Sequence, residues 1–254
     1  MSDINIIPVG SGSTGNSIYL EIYDYKLLID MGMGYRKIRD ALNMYDRNIE
    51  DLDAIFLTHG HYDHTRGASA ICNHVSCKVY CHNSVMYPIR DIRAERVCIE
   101  LNQRYEILPG LNVHPFSIPH DYVKTCAYTF TYKDKKVGYI TDCGKMSDTY
   151  LELLKDSDVV IIESNHDVEM LKNGPYPKDL QRRILSERGH LSNEDCGDAV
   201  SYLYDNGTRN FLLAHISQHN NTPELALETV KEKINGNDYF IYVCPADGND
   251  LLSF

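Results

Sequence analysis

The chain predicts an α/β fold in a single domain spanning residues 1–254. Three observations lead there. Short apolar runs of strand length alternate with segments of helical spacing from one end to the other. No low-complexity segment, short-period repeat or linker divides the chain. Its 254 residues, 43% hydrophobic and 24% charged, can bury a substantial core.

The elements follow in order. Ile4–Val9 predicts a first strand, followed by the loop Gly10-Ser11-Gly12-Ser13-Thr14-Gly15-Asn16-Ser17. Three glycines among hydroxyl and amide residues expose backbone N–H groups. Such a loop either approaches a phosphate closely or is a plain hairpin connection. It lacks the nucleotide P-loop pattern. Ser11, Ser13 and Asn16 here, with Asn165 further on, are the candidates for substrate contact. Residues 18–22 and 26–30 read as strands, and 35–44, with Ile38, Ala41 and Leu42 at helical spacing, as an amphipathic helix. A strand at 54–58 leads to a helix over about 64–73, and 78–81 leads to a helix around 84–89. Several short strands fall between 97 and 118, then two at 126–132 and 136–141. Helices are expected near 147–154, 177–187, 192–204 and 223–234, with strands at 158–162, 209–214 and 239–243. Ser192 with Asp195 has the form of a capping box, and Thr222-Pro223 that of an N-cap with proline at the first helical position.

The chemistry is concentrated after Ala54-Ile55-Phe56-Leu57, in Thr58-His59-Gly60-His61-Tyr62-Asp63-His64. Three imidazoles and a carboxylate fall within six residues at a strand end. His59 and His61, two apart in an extended turn, can grip one cation, while Asp63 and His64 at the start of the next helix reach a second. Imidazole with carboxylate suits zinc, manganese or iron better than calcium or magnesium. Three further candidates each close an apolar run: His120 after 113–119, Asp142 after 137–141 and His215 after 211–214. They complete two sets, with His59, His61 and His120 on one ion, Asp63, His64 and His215 on the other, and Asp142 bridging. A carboxylate bridge holds two dications about 3.5–4 Å apart, and a hydroxide between them is a nucleophile at neutral pH.

H-x-H-x-D-H after a strand, followed by His, Asp and His after later strands, resembles the metallo-β-lactamase superfamily. That resemblance covers nearly the whole chain and implies a four-layer αββα sandwich with a dinuclear metal site at one edge. Gly10–Ser17, Leu28-Ile29-Asp30-Met31-Gly32, Glu163-Ser164-Asn165-His166-Asp167, Gly189-His190-Leu191-Ser192-Asn193 and Leu213-Ala214-His215-Ile216-Ser217 are similar to the YycJ (WalJ) group of bacterial metallohydrolases. That group is related to ribonuclease Z and associated with 5′-to-3′ exonuclease action on DNA. The resemblance further implies that His190 contacts the scissile phosphate and that Glu163 orients it, with Asp63 counted among the catalytic residues. His166 is a candidate support behind the ligands, and His74, His82, His114 and His219 receive no role.

The net charge of −11 and pI near 5.4 argue against a broad basic surface for nucleic acid. Local basic groups remain, at Lys26, at Arg36, Lys37 and Arg39, and at Arg182 and Arg183. Eight cysteines without a C-x-x-C pair, no apolar leader and no apolar run near membrane-spanning length place the expectation in the cytoplasm. The resulting expectation is a phosphodiesterase with two divalent ions (zinc or manganese, or iron), most simply a 5′-to-3′ exonuclease on DNA using a metal-bridging hydroxide. The alternatives are an RNA-processing nuclease and a hydrolase of small esters, thioesters or lactones. Nothing in the sequence addresses the oligomeric state.

Overall fold

The computed structural model describes residues 2–254. In chain order the first strands are β1 (Ile4–Gly10), β2 (Ser17–Ile22), β3 (Tyr25–Ile29), β4 (Ala54–Phe56), β5 (Lys78–Cys81) and β6 (Arg96–Cys98). There follow β7 (Tyr105–Leu108), β8 (Leu111–Ile118), β9 (Thr125–Tyr132), β10 (Lys135–Ile140) and β11 (Val159–Glu163). The last are β12 (Asn210–Ala214), β13 (Phe240–Val243) and β14 (Leu252–Ser253). The helices are α1 (Tyr35–Asn43), α2 (Tyr62–Thr65), α3 (Ala68–Ile71) and α4 (Asp148–Leu154). After them come α5 (Val168–Asn173), α6 (Lys178–Ile184), α7 (Asn193–Asp205) and α8 (Pro223–Lys233).

The chain divides into two compact units, one running to Leu101 and resuming at Pro245–Phe254, the other Asn102–Cys244. The first holds a seven-stranded sheet in the order β14-β1-β2-β3-β4-β5-β6. Its pairings are antiparallel from β14 to β3 and parallel from β3 to β6. Ile7, Tyr19, Leu28, Ile55 and Val79 cluster on one sheet face with Ile38 and Leu42 of α1 and Ile71 of α3. Their neighbours along the strands, Ile6, Leu20, Leu27 and Phe56, are buried as well. Burial of both faces is why these strands read as continuous apolar runs instead of alternating ones.

The second unit carries a sheet in the order β13-β12-β11-β10-β9-β8-β7. β7 to β10 pair antiparallel, and β10 to β13 pair parallel. Phe116, Ile140, Val160, Ile162 and Leu213 form a core with Leu154 of α4, Val200 and Leu203 of α7, and Ala226 and Val230 of α8. Truncating one such leucine to alanine costs about 2–5 kcal/mol. Both expected caps are present. The Ser192 side chain accepts from Asp195 N, and that of Thr222 accepts from Leu225 N with Pro223 behind it.

Several elements differ from expectation. The helix expected over 64–73 is two single turns, α2 and α3. The carbonyls of Asp63 and His64, which a longer helix would use internally, accept instead from Asn16 N and Met31 N, both at 2.8 Å. Around 84–89 there is only a 3-10 turn, Asn83–Val85, in which Ser84 N donates to the His82 ring. α6 stops at Ile184, where its carbonyl accepts from His190 N at 3.0 Å as the chain turns back. α5 was not anticipated; Asp167 caps it by accepting from Met170 N at 2.7 Å. Among the described residues no helix is long and apolar enough to cross a membrane.

Candidate metal centre

In the first unit the H-x-H-x-D-H turn is locked to two other loops. Asn16 N donates to Asp63 O, Gly32 N to Asn16 O, and Met31 N to His64 O, each at 2.8 Å. The interlock leaves no room at Gly32, where a Cβ would lie 1.7 Å from Asp63 O. This is why glycine stands there. The side chains converge in turn. His59 Nε2 and His61 Nδ1 are 2.9 Å apart, a separation at which two imidazole nitrogens share one proton or one cation. Asp63 Oδ2 lies 3.4 Å from His64 Nε2. His59 and His64 are fully buried.

Behind them stands Asp30, which the sequence placed at the end of the 26–30 strand and in the Leu28–Gly32 segment, with no role assigned. Its Oδ2 lies 2.7 Å from His64 Nδ1, and its carboxylate accepts from Thr58 N at 2.9 Å and Thr58 Oγ1 at 3.0 Å. A carboxylate on Nδ1 directs the Nε2 lone pair outward and raises the basicity of the ring as a ligand. Asp30 has φ of 62°, in the left-handed region that costs an ordinary residue roughly 1–2 kcal/mol. The signals in the sequence were a charged residue closing an apolar strand and its place in the Leu28–Gly32 segment.

The second unit collects its groups one by one from successive strand ends. Asp142 lies two residues past the end of β10, Glu163 ends β11, and His215 directly follows β12. Asp142 and His215 share the left-handed backbone of Asp30, with φ of 55° and 57°. Three strands that each turn sharply into a polar residue are strain stored where chemistry is expected. Asp142, Glu163, His190 and His215 each offer one ligand-type atom, all within 4.8 Å of one another. His120 joins them through Nε2, 3.7 Å from Asp142 Oδ1, while its Nδ1 lies 3.1 Å from Gly189 O. As a donor to that carbonyl, Nδ1 leaves Nε2 unprotonated for ligation.

Glu163 is the hub. Its Oε1 lies 2.8 Å from His190 Nδ1 and 2.8 Å from His215 Nδ1. Its Oε2 accepts from Cys143 N at 2.9 Å and Leu191 N at 3.1 Å. Burial pushes this carboxyl up, but the two imidazoles more than offset it and hold it well below the usual carboxylate range. For His190 the balance is reciprocal: burial pulls its pKa down, and the Glu163 carboxylate raises it above the ordinary value.

The other candidates are placed as follows. Asn16 is buried; it closes the glycine loop by accepting from Gly12 N at 2.8 Å, and its Nδ2 lies 3.2 Å from Asp63 Oδ2. Ser11 is buried and Ser13 exposed. Asn165 donates to His215 O at 2.8 Å. His166 is buried with neither ring nitrogen hydrogen-bonded, and burial drops its pKa to about 4. His74 stacks on Tyr35 with ring centroids 3.8 Å apart.

The donor chemistry fits divalent metal ions. Imidazole and carboxylate groups are clustered, mostly buried and backed by Asp30 and Glu163, and this donor set suits a first-row dication.

The sequence matches the beta-lactamase superfamily domain over residues 25–216. It is 34% identical to the exodeoxyribonuclease WalJ of Streptococcus pneumoniae, across 89% of this chain and 86% of that protein. It is 33% identical to the exodeoxyribonuclease YycJ of Bacillus anthracis, across 88% and 86%. The metallo-β-lactamase fold protein YhfI of Bacillus subtilis superposes with a TM-score of 0.75 at 17% identity, covering 98% and 99% of the two chains. The short form of human tRNase Z does so with 0.67 at 15% identity, covering 98% of each. At those identities the two structures establish the α/β fold class alone. The family match and the relatives establish more: the chain belongs to the metallo-β-lactamase superfamily and, within it, to the group of WalJ and YycJ.

Proposed function

We propose that this chain is a metal-dependent phosphodiesterase, a 5′-to-3′ exonuclease acting on DNA, in which the two units work as one hydrolase domain in the cytoplasm. The observation that carries the reading is the Glu163–His190 pair at 2.8 Å beside Asp142 and His215. It is supported by the exodeoxyribonuclease names of relatives 33% and 34% identical.

His59, His61 and His120 would hold one ion, Asp63, His64 and His215 a second, and Asp142 both; zinc, manganese and iron suit this donor set. Bound dications lower the pKa of a water and offset negative charge on phosphoryl oxygens. The protein's own part is proton management and positioning. Glu163 occupies Nδ1 of His190 and favours its cationic form, which leaves Nε2–H to face the substrate. As water attacks phosphorus in line, Nε2 gives its proton to the departing sugar oxygen, so no free alkoxide is expelled. Asp30 and Glu163 hold His64 and His215 in the orientation that ligation needs. On the substrate side, Ser13 offers an exposed hydroxyl and Ser11 lies buried in the same loop, while Asn16 and Asn165 hold the surrounding loops in shape.

The test is digestion of end-labelled DNA and RNA, 5′-phosphorylated and not, with manganese or zinc. We expect stepwise shortening of DNA from its 5′ end, absent in Asp142→Ala. Shortening of RNA alone would make the chain an RNA-processing nuclease. If neither polymer is cut by protein verified to carry metal, while chromogenic esters or thioesters turn over, the phosphodiesterase reading falls.

A further inference from the structure

The second unit holds a cationic cleft that shares no residue with the histidine–carboxylate cluster. It arises from strand register. The pairing Tyr105↔Val113, continued by one residue, sets Arg104 across from His114, which pairs with Thr129. In the adjoining row Thr131 pairs with Lys136. Cross-strand neighbours point to the same sheet face. Further along that face stand Phe116 and Ala127, packed in the core with the helices. The polar rows therefore lie where the helical cover runs out, beside Glu152 and Leu153 of α4, and they line a cleft of ≈ 480 Å³.

Its donors are only partly used. The exposed Arg104 makes no hydrogen bond or ion pair among the described residues. His114 Nδ1 is buried with no hydrogen-bond partner. Lys136 Nζ donates to Lys155 O at 2.6 Å and retains further hydrogens. The one carboxylate in the wall, Glu152, is already engaged by Lys155 at 2.6 Å and by the Tyr202 hydroxyl at 2.7 Å. Burial lowers the pKa of both Lys136 and His114; Asp156 partly offsets this for Lys136, and the Arg104 charge lowers both further. Of the basic groups singled out in the sequence, all but Arg36 behave oppositely. Lys26 pairs with Asp51, Lys37 with Asp247, Arg39 with Asp40, Arg182 with Asp179 and Arg183 with Asp121. In a chain of net charge −11 these cations sit in ion pairs, whereas Arg104 and Lys136 make none among the described residues.

We propose that this cleft binds a phosphate group, with the Arg104 guanidinium forked across two of its oxygens and Lys136, His114 and the Thr129 and Thr131 hydroxyls around the others. A planar fork with an ammonium and hydroxyls suits a tetrahedral anion with several acceptor oxygens better than a carboxylate with two. The cleft is larger than one phosphate, so the group arrives attached to something. Two sources share this chemistry, a nucleoside monophosphate and the phosphodiester backbone of a nucleic-acid strand. The assignment does not depend on the exonuclease reading.

Calorimetric titration of the full-length protein tests it, using inorganic phosphate, dAMP and a phosphorothioate single strand as probes. Wild type is compared with Arg104→Gln, Arg104→Lys and Lys136→Gln. We expect at least one probe to bind about tenfold more weakly to Arg104→Gln and to Lys136→Gln, the loss typical of one charge-assisted contact. Arg104→Lys should recover only part of the affinity. The probe that responds identifies the source: dAMP a nucleotide, the single strand a backbone. Arg104 is exposed, so its substitution leaves folding intact, and turnover of a small chromogenic phosphodiester serves as the control, expected unchanged. Affinities for all three probes equal to wild type in both glutamine variants overturn the proposal.

Discussion

In the first unit, antiparallel strands pass into parallel ones at β3; in the second they do so at β10. Each sheet thus has three antiparallel and three parallel pairings. On that shared plan the groups of the candidate site are supplied differently. The first unit takes His59, His61, Asp63 and His64 from a single turn after β4. The second takes Asp142, Glu163 and His215 from the ends of three parallel-paired strands, with His120 and His190 from loops. Behind each set is one buried carboxylate. Asp30 backs His64 and Thr58, whereas Glu163 serves His190 and His215 at once. The difference suggests a division of labour in which the compact turn grips and the dispersed set both grips and moves protons.

The largest test of that division removes one carboxylate from each set. Asp63→Ala and Asp142→Ala should each bring DNA turnover to background, with metal content measured alongside. If Asp142→Ala retains both metal and activity, the dispersed set is not part of the centre.

Next is Glu163→Gln, which should lower kcat about 10²-fold, in the range of general acid–base catalysis. Glu163 raises the His190 pKa, so the acid form persists above the ordinary histidine range and is lost as pH rises. Without the carboxylate, burial and His215 act against Asp142 alone, and the alkaline limb of the rate profile should move to lower pH. A profile that stays in place would show that Glu163 does no more than support the fold.

Asp30→Asn should act on grip. Metal affinity is expected to fall about 10–100-fold, with kcat near wild type once metal is saturating. Should kcat collapse at full occupancy instead, the two halves are not divided as described.

The smallest effect concerns stability. His166 is held neutral by burial, with its pKa lowered to about 4. The unfolded chain binds a proton there more readily, so the native state is favoured fully above the ordinary histidine pKa and loses that advantage as pH falls towards about 4. The shift corresponds to roughly 3 kcal/mol. Denaturant midpoints from pH 7 to 4 should therefore fall less steeply in His166→Leu than in wild type; parallel curves would exclude the histidine as a source of acid lability.

By itself the sequence determined the α/β alternation, the two capped helices and the H-x-H-x-D-H turn. Each depends on residues close in the chain, where periodicity, capping chemistry and covalent spacing act directly. It also marked His120, Asp142 and His215 as strand-end residues. Tertiary structure decided what stands behind them. Asp30 meets His64 across 34 positions and Glu163 meets His215 across 52, and no local pattern announces either pairing. The helix expected over 64–73 failed for the same reason, because its carbonyls are claimed by loops far away in the chain. Likewise Arg104, His114 and Lys136 look like three unrelated surface residues until strand register sets them on one face. Register is a property of paired strands, and the period-two pattern of a single strand does not reveal which partner lies opposite.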